Sequence, residues 1–146
     1  MIRNPIEAVG DGIRGAKVSG EGAAARAEVP PERWEDAAAI LKVQSGLSAL
    51  MDLFCIDREG EGLRFEIVAK LSDGGGGSRF TLTARLPETG SEIASLVRVH
   101  PAAEWYEREC FDMFGISFRG GPAHKRILTE DDFHGHPLRK DFRGVS

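Results

Sequence analysis

The order of patterned segments predicts an α+β fold. It is expected as a two-layer domain, a mixed sheet of about four to five strands with helices on one face, followed by an extended irregular C-terminal tail. Three observations carry this. Leu63–Leu71 and Arg79–Leu86 both alternate apolar and polar residues, and the glycine run Gly74–Gly77 separates them, which is the pattern of a β-hairpin. Trp34, Ala37, Ala38 and Leu41 recur at helical spacing upstream, and a second helical stretch runs from Ala102 to Phe114. Beyond Phe118, the breaks Gly121-Pro122 and His136-Pro137 oppose a long helix or a central strand. Residues 1–118 are therefore expected to form the α/β domain, with 1–22 weakly ordered. Residues 119–146 are expected to form a partner-binding tail.

Taken in order, the first 22 residues are glycine-rich, with short extended pieces expected at Ala8–Val9 and Ala16–Val18. Ala24–Val29 reads as a strand ended by Pro30–Pro31. Pro31 suits the first position of a helix, where its missing N–H costs nothing, and Gly46 suits its stop. Leu47–Asp57 is apolar and is expected at the centre of the sheet. Phe80, Leu82, Ala84 and Leu86 are expected to face inward from the second hairpin strand. Ser91 reads as the cap of a short helix carrying Ile93, Leu96 and Val97. Pro101 then opens the helix that Gly115 ends. Along it, Glu104, Arg108 and Asp112 are spaced to pair on the surface.

A chain of 146 residues suits one domain, and its formal net charge of −4 gives nucleic acid no general attraction. The charge is uneven. Arg119–Arg143 carries six Lys/Arg against four acids, leaving a body with 13 basic and 19 acidic residues, so a mildly basic end follows an acidic domain. No apolar run approaches the ~20 residues of a membrane span, and the first residues lack a signal-peptide core. Attachment to a membrane is expected only through a partner. Cys55 and Cys110 lie far apart among apolar residues and read as buried free thiols of a reducing compartment.

The stretch from Glu107 to Phe142 concentrates charge, aromatics and three of the four histidines. Phe118, Ile127, Leu128, Phe133, Leu138 and Phe142 give the tail spaced apolar anchors, and Arg126, Arg139 and Arg143 offer forked donors. That combination suits wrapping over a neighbouring surface. A rival reading places a metal at His134 and His136 with Asp131, Asp132 and Asp141, although Pro137 and the basic pair after it oppose this. Glu107, Glu109 and Asp112 are close enough for paired-carboxylate chemistry, but Arg108 among them favours an ion-pair network holding the tail to the helix. Gly74–Gly77 lacks the Gly-Lys-Ser/Thr ending of a phosphate loop and joins two strands.

These residues resemble a known family. Glu107-Arg108-Glu109, Asp112-Met113-Phe114-Gly115-Ile116, Arg126-Ile127-Leu128 and the run Gly135-His136-Pro137-Leu138-Arg139-Lys140-Asp141-Phe142 are similar, in order and spacing, to the C subunit of the proton-pumping NADH-quinone oxidoreductase, respiratory complex I. The chain departs from that pattern at Gly120-Gly121-Pro122, where the family usually has Gly-His-Pro. The resemblance implies a structural component of the hydrophilic arm with no catalytic, cofactor-binding or metal residue of its own. FMN, iron–sulfur clusters and quinone would sit in partner subunits. It implies docking on the hydrogenase-related large subunit (the D subunit), beside the adjacent cluster-bearing subunit, on the cytoplasmic side of the bacterial inner membrane. The implied interface comprises Glu107, Arg108, Glu109, Asp112, Arg126, His136, Pro137, Leu138, Arg139, Lys140 and Asp141. An end four residues past Phe142 is expected of the unfused form rather than of a C–D fusion. The alternatives are the equivalent subunit of a membrane-bound nickel–iron hydrogenase or formate hydrogenlyase and, in another class, a free-standing His/Asp metal-dependent enzyme.

Overall fold

In a computed structural model, described over residues 2–122 and 135–140, five strands form one mixed sheet in the order β1-β2-β5-β4-β3. They are β1 (Lys17–Ser19), β2 (Arg26–Glu28), β3 (Ala49–Asp57), β4 (Phe65–Ser72) and β5 (Arg79–Leu86). β2 runs parallel to β5, and the other neighbours are antiparallel. The alternation that predicted the hairpin sets its register. Phe65, Ile67, Ala69 and Leu71 stand opposite Leu86, Ala84, Leu82 and Phe80, and all eight are buried on one face. Helices α1 (Pro5–Gly12), α2 (Trp34–Ser45) and α3 (Ala103–Phe114) cover that face. Val9, Trp34, Leu41 and Cys110 join the strand residues in a single core.

The glycine loop of the hairpin is closed by its own carboxylate. Asp73 accepts from the backbone N–H groups of Gly75, Gly77 and Ser78 at 2.9, 3.2 and 3.1 Å. Those donors hold the Asp73 carboxyl below its usual range, the Gly75 bond most of all. They are engaged by an internal anion and do not form a phosphate cradle.

Three expectations are corrected. Residues 5–12 form α1 instead of extended pieces at Ala8–Val9, because Asn4 caps Ile6 N–H at 2.9 Å and Pro5 pre-sets the first turn. Ala8 and Val9 are fully buried, so this part of the N-terminal stretch packs into the core. β3 is an outer strand, not a central one. Its apolar run reflects two faces, with Leu53 and Cys55 in the core and Phe54 and Ile56 half-buried on the other side. Finally, Ser91 caps no helix. Its hydroxyl donates to the Pro87 carbonyl, and Glu92–Ala94 forms β6, which pairs parallel with β7 (Ser117–Arg119) across α3. Pairing with a segment distant in sequence overrode the local cap signal, giving a small strand–helix–strand unit.

Leu82 lies on the central strand and is completely buried. Leu82→Ala is expected to lower stability by about 2–5 kcal/mol, read as a shift of the urea midpoint. An unchanged midpoint would contradict the core face assigned here.

Candidate functional site

The site is built at the C-terminal end of α3. A helix leaves its last four carbonyls without internal partners. Gly115, at φ +80°, turns the chain out of the helix, and its N–H closes on the Phe111 carbonyl at 2.8 Å. The next three carbonyls are met by the tail, one after another. His136 Nδ1 donates to Asp112 O at 3.1 Å, Leu138 N–H to Met113 O at 3.1 Å and Arg139 Nε to Phe114 O at 2.6 Å. A carbonyl can only accept, so the His136 contact puts a proton on Nδ1. The Arg139 guanidinium also sits at the negative end of the helix dipole.

Gly115 makes this approach possible. A Cβ there would lie 2.8 Å from His136 Cδ2 and Nε2 and 2.9 Å from an Arg139 guanidinium nitrogen. Aromatic rings complete the seat. Phe111 meets the His136 ring edge-on at 6.2 Å, Phe114 meets Phe65 edge-on at 6.4 Å, and Arg139 lies 5.0 Å from the Phe65 ring centre.

A second anchor lies at the end of β3. Asp57 and Arg64 are both nearly fully buried and make a two-pronged ion pair with both contacts at 2.8 Å. Lys140 N–H donates to the same carboxylate at 2.8 Å. The Arg64 guanidinium holds the Asp57 carboxyl below its usual range, against the upward push of burial and with further help from Lys140 N–H. Arg64 also reaches Glu88 at 2.6 Å and lies 5.1 Å from the Phe65 ring centre. Residues 136–140 thus bridge the end of α3 and the end of β3.

The other expected residues point elsewhere. Glu107 is buried, and its carboxylate accepts from the Ser95 hydroxyl at 2.6 Å and from Leu96 N–H at 2.7 Å, fastening the segment after β6. Burial pushes its carboxyl up, and those two bonds offset part of that. Arg108 pairs with Glu104 at 2.6 Å as its spacing predicted, and Glu109 accepts from Trp105 Nε1 at 2.7 Å. Asp112 is completely buried, so the surface pairing expected of it is corrected: it lies beneath the tail, and its carbonyl holds His136. Residues 136–140 engage the terminal carbonyls of α3 and the Phe111 ring, contacts the ion-pair expectation did not name. Arg126 and Asp141 lie outside the described residues, as do His134, Asp131 and Asp132 of the metal reading.

Asp57, Arg64 and Phe65 were missed. Their signal was an acid at the end of the apolar β3 run and a base opening the alternating β4 run, one on each side of the Arg58–Gly62 turn.

The arrangement suits anchoring. Burial, with Asp57 next, pushes the Cys55 thiol up to about 12, and burial pushes Cys110 well up, so neither thiolate is available near neutral pH. Both carboxylate oxygens of Glu107 are occupied by donors. Among the described residues, no three His, Cys, Asp or Glu side chains converge as a metal site requires, and no helix is long and apolar enough to cross a membrane.

Comparison with known proteins adds an independent line. Residues 27–146 match the family model described as "Respiratory-chain NADH dehydrogenase, 30 Kd subunit". The NADH-quinone oxidoreductase C subunit of Rhodobacter capsulatus is 42% identical over 135 residues, covering 91% of this chain and 66% of that protein. The NADH-quinone oxidoreductase C/D subunit of Bdellovibrio bacteriovorus is 37% identical over 115 residues, covering 79% of this chain and 20% of that protein. Among solved structures, the trypsin-resistant fragment of Nqo5 superposes with TM-score 0.70 at 27% identity, covering 82% of this chain and 99% of that one. A chain of a membrane-bound sulfane sulfur reductase, an archaeal respiratory membrane complex, superposes with TM-score 0.80 at 25% identity, covering 93% and 81%. The chain spans 58% and 66% of the length of two curated C-subunit relatives it matches.

Two outcomes test the site. Gly115→Ala is expected to cost at least about 1 kcal/mol from its left-handed backbone alone. It should also expose the Leu138 amide to hydrogen exchange, because the added methyl displaces His136 and Arg139. A protected Leu138 amide would contradict the capping role.

Asp57→Asn tests the buried pair. A carboxyl held low in the folded state contributes stability above its unfolded value, and that stability is lost as pH falls through its folded value. The unmodified chain should therefore lose stability on the acid side with a steeper slope than the variant. At neutral pH the variant should be less stable by about 1–3 kcal/mol, since Arg64 remains buried but keeps its contact with Glu88. Parallel acid limbs in urea titrations would remove Asp57 from this role.

Proposed function

The chain belongs to the family of the respiratory-chain NADH dehydrogenase 30 Kd subunit, and from that premise we propose that it is a structural, cofactor-free subunit of a proton-translocating NADH-quinone oxidoreductase. The single observation that carries this is the family match across residues 27–146, which includes the tail segment seated on α3. In this reading the assembly passes electrons from NADH to quinone, with FMN, iron–sulfur clusters and the quinone site in other chains. This chain joins the hydrophilic arm on the cytoplasmic side of the bacterial inner membrane and reaches the membrane only through its partners.

The partner proposed for the tail is the hydrogenase-related large subunit, with the adjacent cluster-bearing subunit beside it. A relative named as a C/D subunit supports pairing with that D-type chain. The tail contributes the contacts. Its backbone and the His136 and Arg139 side chains are committed inward, while Leu138 stays 58% exposed beside Met113 and Phe54. Burial of that side chain in a partner would remove its apolar area from water. On α3 the Asp112 carbonyl holds His136 in the seat, and Arg108 and Glu109, with Arg126, Pro137, Lys140 and Asp141 along the tail, extend the proposed contact.

The likeness to a sulfane sulfur reductase chain keeps a second reading in view, an equivalent subunit of a related membrane-bound complex such as a nickel–iron hydrogenase or formate hydrogenlyase. Purification from native membranes in mild detergent separates the readings. Flavin- and cluster-bearing NADH dehydrogenase subunits should accompany the chain. A hydrogenase large subunit without an NADH-oxidising module would move it to the second reading, and recovery of the chain alone would overturn both.

Leu138→Asp is expected to reduce co-assembly with the large subunit at least tenfold. An exposed position should leave the urea midpoint within about 0.5 kcal/mol of the unmodified chain. Full assembly of this variant would remove Leu138 from the interface.

A further inference from the structure

All three helices pack on one face of the sheet. A solvent face of an antiparallel sheet ordinarily carries polar residues. The β3–β4 half of this sheet's other face sets an apolar group among Asp52, Glu66 and Lys70. Phe54 stands opposite Val68 and Ile56 opposite Glu66, with Phe54 and Ile56 half-buried and Val68 only 4% exposed. Around this apolar centre the strands carry five cations, Lys17, Arg26, Lys70, Arg79 and Arg85, against three acids, Glu28, Asp52 and Glu66. The face is therefore net positive in a chain of formal charge −4.

The acids are unevenly used. Glu66 lies 2.7 Å from Arg58 and 4.0 Å from Arg26, and Glu28 lies 4.0 Å from Lys17, so one end of the face is internally balanced. At the other end Lys70 and Arg79 are exposed, and among the described residues neither joins an ion pair. Lys70 Nζ donates only to the Thr81 hydroxyl, at 3.2 Å. These two cations border an open concavity of about 320 Å³ with Asp52, Thr81 and the 54%-exposed Met51, which occupies the bulge between Leu50 and Asp52.

We propose that this second face, around its exposed residues Met51, Lys70 and Arg79, is a second docking surface. It takes an acidic, apolar-centred face of a neighbouring protein subunit, whose carboxylates meet Lys70 and Arg79 while its apolar side chains cover Met51, Phe54 and Ile56. Charge complementarity of this kind orients a partner and suppresses wrong ones, and the apolar centre supplies the buried area. The surface meets the tail seat at Phe54, which also lies beside Leu138, and its cationic end at Lys70 and Arg79 lies outside that seat. Two faces of one small domain then contact two neighbours. The identity of the neighbour as a component of the same complex rests on the function proposed above.

The test uses the assembled complex purified from native membranes and the isolated chain, each treated with an amine-acetylating reagent and, separately, with a carbodiimide that joins amines directly to carboxylates. Lys70 is expected to acetylate at least tenfold more slowly in the complex and to be coupled to an Asp or Glu of another subunit. The double substitution Lys70→Glu with Arg79→Glu should reduce incorporation at least tenfold while the isolated chain keeps its urea midpoint. Equal acetylation in complex and isolated chain overturns the proposal and leaves the tail reading intact. Protection without coupling to another subunit, as an anionic lipid or a second copy of this chain would give, also overturns it. If the chain enters no complex, the function proposed above fails and this surface fails with it.

Discussion

The structure turns on the closing of one helix end by a distant piece of chain. The last carbonyls of α3 would otherwise need solvent or local turns. Here His136, Leu138 and Arg139 satisfy three of them in succession, and Gly115 satisfies the fourth. Each such bond contributes about 0.5–1.5 kcal/mol net, yet leaving a buried carbonyl unmet costs more than that mean suggests. The segment is therefore part of the helix's termination, and the tail is bound to the domain through backbone groups that any sequence on α3 would present. Specificity comes from the ring contacts, from Gly115 and from the reach of Arg139 over Phe65.

The Asp57–Arg64 pair makes the second half of this joint and obeys different physics. Two charges removed from water are expensive, and only their mutual attraction and the remaining hydrogen bonds offset the cost. Asp57 receives three such bonds, two from Arg64 and one from Lys140 N–H. The pair thus ties β3, β4 and the tail at one point. Glu107 applies the same device at the opposite side of α3, where a buried carboxylate holds Ser95 and Leu96. Two inward acids, one on a helix and one at a strand end, do the fastening that the surface-charge pattern alone had suggested for the helix exterior.

The hairpin, α2 and α3 were legible because each is specified by local periodicity and by residues at its ends. Pro31 and Gly46 bracket α2 and its entry turn, and Gly115 stops α3. What local reading could not supply was pairing across sequence. Ile93 and Leu96 have helical spacing, yet Glu92–Ala94 found Ser117–Arg119 and became a strand. Leu47–Asp57 looks central because apolar residues occupy both its faces, and nothing in the run itself states that one edge is unpaired. For the site, the motif from Gly135 to Lys140 stood out by its density, but its partners did not. Backbone carbonyls carry no sequence signature, and Asp57 and Arg64 are ordinary residues until the fold brings them beneath Lys140.

These features connect folding to assembly. A partner that grips the outward Leu138 binds the tail only in the conformation in which His136 and Arg139 cap α3. By linkage, binding that state stabilises it in proportion to the partner's preference for it. The reciprocal also holds: anything that loosens the cap lowers the fraction of chain competent to bind, and the apparent affinity falls by that fraction. A substitution at Gly115, which would displace His136 and Arg139, should then weaken the proposed assembly through the cap, whereas one at exposed Leu138 should weaken it without touching the fold. In the function proposed for this chain, where the redox groups sit in other chains, geometry is the contribution it makes. In that proposal the cap is the element through which a change inside the domain would be felt at the proposed interface.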